Sequence, residues 1–234
     1  MSNIYLLDFK NKHSNLEILI DFYKNVWCEY NHYYENDKLL YSLFSSNNYS
    51  PRLKALILNK LYSAGMKDIQ LINFSEQIES VDLLKIEANQ YTGLYNDGSV
   101  FSSKLISLES KYLHWKNEVS DSQFSPIFDS NVKNELKKYQ KNSIITFSDL
   151  KQSIDNFIKE YLSINDPENQ RIELKCGLHH AASVYRLVDK YLWLSNKIRM
   201  ISDNKSSQAK GLIYLRENKY KDFIGRHSNI IKLS

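Results

Sequence analysis

The chain has 234 residues and a mass of 27.6 kDa, enough for one large domain or two small ones that share a cleft. Apolar residues make up 42% and Tyr alone supplies 17, which excludes a globally disordered chain. Net charge is +4 but uneven: residues 171–234 carry 13 Lys/Arg against 5 Asp/Glu, so this third is basic and the rest mildly acidic. Such a layout suits a phosphate-binding face, and equally a solvated helical surface.

The segment Asn15 to Tyr30 places Leu16, Ile18, Leu19, Ile20, Phe22, Tyr23, Val26 and Trp27 at mostly helical spacing and predicts the first helix. Polar residues from Asn31 to Asp37 read as a loop. Ser50-Pro51 is an N-cap followed by a first-turn proline, and it opens a helix that ends near Gly65. Residues 68–73 fit a short strand or a helix start. Further helices are expected at 75–89, 99–116, 130–140, 148–162, 173–200 and 207–216, with loops at 116–123, 163–170 and 203–207. Only 6 Gly and 3 Pro argue against a turn-rich β protein. The expected class is therefore all-α, with two helical lobes and a cleft between them. A central unit spans 46–140, and the second lobe combines 1–45 with 141–234.

No stretch approaches the roughly 20 apolar residues of a membrane-crossing helix. Met1-Ser2-Asn3-Ile4 lacks the basic start and apolar run of a signal peptide, so a cytoplasmic address and no membrane partner are expected. Cys28 and Cys176 stand in dissimilar segments with no Cys-x-x-Cys spacing. Neither a structural zinc nor an iron–sulfur cluster is expected, nor any other cofactor.

One segment carries chemistry. In Phe124-Ser125-Pro126-Ile127-Phe128-Asp129-Ser130-Asn131-Val132-Lys133-Asn134-Glu135-Leu136, a carboxylate follows a short apolar run and directly precedes a helix. Asp is a favoured N-cap, so a plain capping role accounts for Asp129 by itself. The surrounding Pro126, Ile127, Asn131, Val132, Lys133 and Leu136 fall in register with a longer pattern. This segment resembles the catalytic-aspartate segment of the helix–hairpin–helix superfamily of base-excision DNA glycosylases. In their adenine-mismatch branch it reads nearly Pro-Ile-x-Asp-x-Asn-Val-Lys-x-x-Leu.

The resemblance implies a DNA N-glycosylase acting on duplex DNA with one flipped-out nucleotide. Asp129 would then be its catalytic residue, while Ser130, Asn131 and Lys133 would contact DNA. The chemistry is coherent: cleaving an N-glycosidic bond builds oxocarbenium character on the sugar, and a carboxylate beside C1′ stabilises it and orients water. Upstream, Leu94-Tyr95-Asn96-Asp97-Gly98-Ser99-Val100-Phe101-Ser102 occupies the place of the family's phosphate-binding hairpin. Leu94 and Gly98 match that hairpin, but its proline and first glycine are absent and the spacing to Asp129 is longer. Gly98, Ser99 and Lys104 are the DNA-contact candidates there, and an ordinary turn before a helix is the other reading.

Val100 stands in the register of the lysine that strand-nicking relatives use as a Schiff-base nucleophile. Lys104 and Lys111, on the same expected helix, could substitute only through a different geometry, so a water-based, monofunctional enzyme that leaves an abasic site is the favoured expectation over a lyase. Lys111, His114 and Trp115, on the helix leading to Asp129, are base-pocket candidates, with core packing as the alternative. The segment 185–197 reads as a core helix with a basic rim, and a non-catalytic nucleic-acid-binding module is the alternative function. The substrate base, and a role in repair or in defence against phage DNA, stay open.

Overall fold

A computed structural model describes residues 4–7, 15–28, 31–62, 71, 101–141, 143–176, 179–202, 226 and 230–233. In chain order these form β1 (Ile4–Leu7), α1 (Asn15–Phe22), α2 (Asn31–Ser45), α3 (Pro51–Leu61), α4 (Phe101–Ser120), α5 (Ser130–Leu136) and α6 (Phe147–Phe157). A hairpin of β2 (Arg171–Cys176) and β3 (His179–Ser183), then α7 (Val184–Ser202) and β4 (Ile230–Leu233), complete them. The described chain is predominantly helical. The helices expected at 75–89 and 207–216, the hairpin-like residues Gly98 and Ser99, and all of 68–73 except the buried Leu71 lie outside the described residues.

Local sequence sets several boundaries, the Ser50-Pro51 start among them as expected. Ser50 Oγ accepts the Leu53 N–H at 3.3 Å and Pro51 occupies the first turn of α3. Thr146 and Asp149 form a reciprocal capping box at the start of α6, with bonds of 3.0 and 2.8 Å. α1 runs on through a π-helical turn to Trp27, and α6 likewise to Leu162. α4 extends four residues past its expected end and stops at Asp121, whose φ of 51° breaks the helix.

Two expectations need correction. The loop read at 31–37 is the first half of α2. Its inward stripe is Tyr34, Asp37, Leu40, Leu43 and Phe44, so a buried acid stands where an apolar residue would have revealed the period. The helix read from 173 begins only at Val184, because 171–183 is an antiparallel hairpin with Arg171 opposite Ser183 and Ile172 opposite Ala182. Ile172 and Leu174 are both buried, the alternation of a strand, and the run was too short to outweigh the long helix after it. Ser183 Oγ accepts the Arg186 N–H at 3.2 Å and caps α7. His179 and His180 therefore lie on a strand. A second two-stranded sheet joins β1 to β4, near the two chain ends.

α7 is the axis of the core. Val184, Leu187, Val188, Tyr191, Leu192 and Leu194 are all buried along it. It meets α1 through an edge-to-face pair of Phe22 and Tyr191, with centroids 5.4 Å apart. It is bolted to α5 by Arg199, whose Nε reaches both oxygens of the fully buried Glu135 at 2.9 and 3.0 Å. That junction fixes where the N-terminus of α5, and hence Asp129, stands relative to α7.

Candidate active site

Asp129 reaches its place through a buried, non-helical segment, with Phe124, Ser125, Ile127 and Phe128 all in the core. One polar stripe of α4 holds this segment. Ser110 Oγ accepts the Phe128 N–H at 2.8 Å, His114 Nδ1 bonds the Ser125 carbonyl at 2.8 Å, and Asn117 Nδ2 donates to the Gln123 carbonyl at 2.6 Å. These three residues stand at i, i+4 and i+7, so a single helix face sets the register of the segment that delivers the acid. At its end Asp129 turns extended (φ −123°, ψ 138°) and caps α5. Its Oδ1 accepts the Asn131 N–H at 2.7 Å and Asn131 Nδ2 at 3.0 Å. Asn131 is itself held by Asn196 of α7, whose Nδ2 donates to Asn131 Oδ1 at 3.0 Å.

The acid opens onto a cavity of about 450 Å³ between α2, α5 and α7. Trp27, Tyr62 and Trp193 give it aromatic walls, Leu40 and Ile127 apolar ones, and Asp129, Asn131, Asp189, Lys190 and Lys197 polar ones. Its size lies within the roughly 300–1,000 Å³ of small-ligand pockets, and an apolar wall with a few converging polar groups is their usual make-up. Trp27 and Trp193 meet edge to face at 6.1 Å, and Lys190 Nζ lies 5.0 Å from the Trp27 ring centre.

A buried network behind the wall fixes these rings. Arg186, fully buried, pairs with Asp37 at 2.6 Å, donates from Nε to the Tyr23 hydroxyl at 3.0 Å and stacks on Trp115 at 4.2 Å. Asp37 Oδ2 also accepts the Trp27 indole N–H at 2.6 Å, and Trp115 Nε1 donates to the Tyr62 hydroxyl at 3.1 Å. Burial alone would raise the Asp37 carboxyl, but the Arg186 and Lys190 charges and these hydrogen bonds outweigh it and hold the acid below its usual range. Thus each of two wall aromatics hangs by its polar atom from one network.

The residues expected at the site fall into distinct places. Asp129 and Asn131 line the cavity. Ser130 is exposed at the start of α5, and Lys133 packs its ammonium over the Phe128 ring at 4.1 Å. His114 and Trp115, read as pocket candidates, are buried one layer back and are not among the lining residues, so Trp27, Tyr62 and Trp193 take the wall instead. Lys111 is buried too: its Nζ donates to Ser107 Oγ at 2.7 Å and lies 4.8 Å from the Tyr62 ring centre. Burial lowers the Lys111 ammonium from its ordinary value, against the nearby Asp129 and Asp189 carboxylates. Lys104 is on α4, and Gly98 and Ser99 are outside the described residues. Sequence reading missed Trp27, Tyr62, Asp37 and Asp189, which lie far apart along the chain with no shared spacing.

His114 carries a pH signature. Burial, opposed by the Glu118 carboxylate and aided by the Arg186 charge, holds its imidazole below the ordinary value. The neutral ring donates from Nδ1 to Ser125 and turns Nε2 toward Arg186, 3.4 Å away. The unfolded chain takes up a proton below about pH 6.5 that the folded site refuses, so acidification from pH 7 to 5 draws stability from the fold. Substituting His114→Gln is expected to flatten that slope by this residue's share in urea unfolding at pH 7, 6 and 5.

No protein-family model, curated protein or solved structure matches this chain. Among the described residues, no cluster of His, Cys, Asp and Glu has the arrangement of a metal site, and no helix is long and apolar enough to cross a membrane.

Proposed function

We propose that the protein is a DNA N-glycosylase that hydrolyses the bond between a flipped-out base and its deoxyribose, with a two-lobed fold like that of the helix–hairpin–helix superfamily. The observation that carries this reading is the position of Asp129. It is a carboxylate at a helix N-terminus, opening into an aromatic-walled cavity large enough for a nucleobase and its sugar. A flipped base slides against Trp27, Tyr62 and Trp193, which exclude bulk water as in other base-flipping sites. Asp129 then lies beside the anomeric carbon, where it stabilises the oxocarbenium charge and orients the attacking water. The Asn131–Asn196 pair keeps one carboxylate oxygen occupied and so fixes the direction of the other.

Water, rather than a lysine, is the nucleophile in this account. Lys111 senses Asp129 from the buried side of α4, but its ammonium is engaged by Ser107 and Tyr62 and does not line the cavity; Lys133 packs over Phe128, Lys190 is held by Asp189, and Lys197 lies over the Trp193 ring. The product is therefore an abasic site and a free base. Lys197 at the cavity, with the basic C-terminal third, supplies phosphate contacts, so DNA affinity falls with salt as counterions are released.

The test is incubation with DNAs carrying varied damaged, mismatched or hypermodified bases, heavily modified phage genomes included. Alkali treatment then reveals abasic sites, and mass spectrometry identifies the released base. We expect base release without covalent trapping by borohydride. Salt-sensitive DNA binding with no base released from any substrate would replace this reading with a non-catalytic nucleic-acid-binding module. Whether the work is repair or removal of modified bases from phage DNA follows from which genome is attacked.

A further inference from the structure

The outward face of α5 takes no part in the hydrolysis. Ser130, Lys133, Asn134 and Lys137 stand there at i, i+3, i+4 and i+7, opposite the buried Val132, Glu135 and Leu136. Ser130, Asn134 and Lys137 are exposed and Lys133 is half-buried. A hydroxyl, an amide and two ammonium groups are the donors that meet phosphate oxygens along a nucleic-acid backbone. None of the four is apolar, so the face has nothing to bury in a lipid surface.

The charge here is one-sided. Residues 130–141 carry Lys133, Lys137, Lys138 and Lys141 against a single acid, Glu135, which is turned inward and held by Arg199 and Lys138. A cation near the C-terminus of a helix is favourable, and Lys138 beside Glu135 already supplies it. Lys133 and Lys137, four residues apart, instead repel each other on a helix of seven residues. The Lys133 ammonium is fixed 4.1 Å from the Phe128 ring centre. Burial, and then the Lys137 charge, push it below its ordinary value against the pull of Asp129. An anion bound across the two lysines relieves that repulsion.

The face starts one residue after Asp129 and extends roughly 10 Å at 1.5 Å per residue. That length matches two or three successive phosphates of one strand, at about 3.4 Å of duplex axis each. We propose that Ser130, Lys133, Asn134 and Lys137 form a track for the nucleic-acid backbone, which holds the phosphates of the strand as it leaves the cavity along α5. The inference rests on the glycosylase reading for what fills the cavity, but backbone binding can be measured without catalysis. Phosphates carry no sequence, so the track contributes equally to every duplex.

The experiment measures affinity of the full-length protein for a duplex with one tetrahydrofuran site, by fluorescence anisotropy from about 50 to 200 mM salt. Lys133→Gln and Lys137→Gln are each expected to reduce the slope of log affinity against log salt by about one, and together by about two. The reduction should be the same for duplexes of different sequence. Lys60→Gln on α3 and Lys159→Gln in the turn after α6, both at exposed positions, should leave the slope unchanged. An unchanged slope in the folded double variant overturns the inference, and so does an equal loss in the two controls. Binding to phosphatidylserine vesicles with none to DNA overturns it as well. Reduced slopes in a protein that releases no base from any DNA leave the inference standing and remove only the glycosylase reading.

Discussion

Substituting Asp129→Asn is expected to reduce base release at least about a hundredfold, the scale of losing one charge-stabilising or general-base group. Stability should stay within about 0.5 kcal/mol, since Asn caps helices about as well as Asp and its Oδ1 can still accept the Asn131 N–H. DNA affinity should also survive. The prediction separates two roles that coincide in one side chain, because the cap needs only an oxygen and the chemistry needs a negative charge. Asp129→Ala removes both, adding about 1 kcal/mol of lost capping to the catalytic defect. Single-turnover base release and urea unfolding on the same preparations check the two halves. Unimpaired release by Asp129→Asn would reduce Asp129 to a helix cap.

The second large effect lies out of reach of any substrate. Arg186→Met is expected to cost about 3–5 kcal/mol, because it strands the buried Asp37 carboxylate and frees the Tyr23 hydroxyl and the Trp115 face together. Against the 5–15 kcal/mol typical of a folded domain, that is about a fifth or more of the total. Arg186→Lys should recover little, since a lone ammonium cannot pair with Asp37, reach Tyr23 and stack on Trp115 at once.

The pH dependence follows from the sign of the Asp37 shift. Its folded value lies below its unfolded one, so its contribution is complete above about pH 4 and is lost as pH falls through the folded value. Arg186→Met should abolish that acid-side loss, and comparing the unfolding free energies of the two proteins from pH 6 to 3 measures it. Because Asp37 also holds the Trp27 indole, the variant should bind bases more weakly even where it remains folded.

What the sequence disclosed follows from how local each signal is. Asp129 as an N-cap, its short apolar approach and the Ser50-Pro51 start of α3 each depend on a few consecutive residues, and each could be read directly. α2 stayed hidden because Asp37 occupies a core position that distant partners, chiefly Arg186 149 residues later, make tolerable. The β2–β3 hairpin stayed hidden because its alternation spans a few residues before a long helix of stronger period. His114 and Trp115 have the residue types of a base pocket, but they serve one layer deeper. His114 positions the Ser125 carbonyl and Trp115 holds Tyr62. The cavity walls come from residues 27, 62 and 193, so no window of sequence contains them together. A site built on distant elements becomes legible only once α7 and its buried arginine bring them face to face.

The measurement that tests the central claim most directly does not need the identity of the base. Duplexes are prepared with either a cationic pyrrolidine or a neutral tetrahydrofuran in place of one nucleotide, the former mimicking positive charge at the sugar. The protein should bind the cationic duplex at least about a hundredfold more tightly, and Asp129→Asn should erase most of that difference. Equal affinity for the two duplexes, or a preference that Asp129→Asn leaves intact, would contradict a carboxylate stationed at the anomeric carbon.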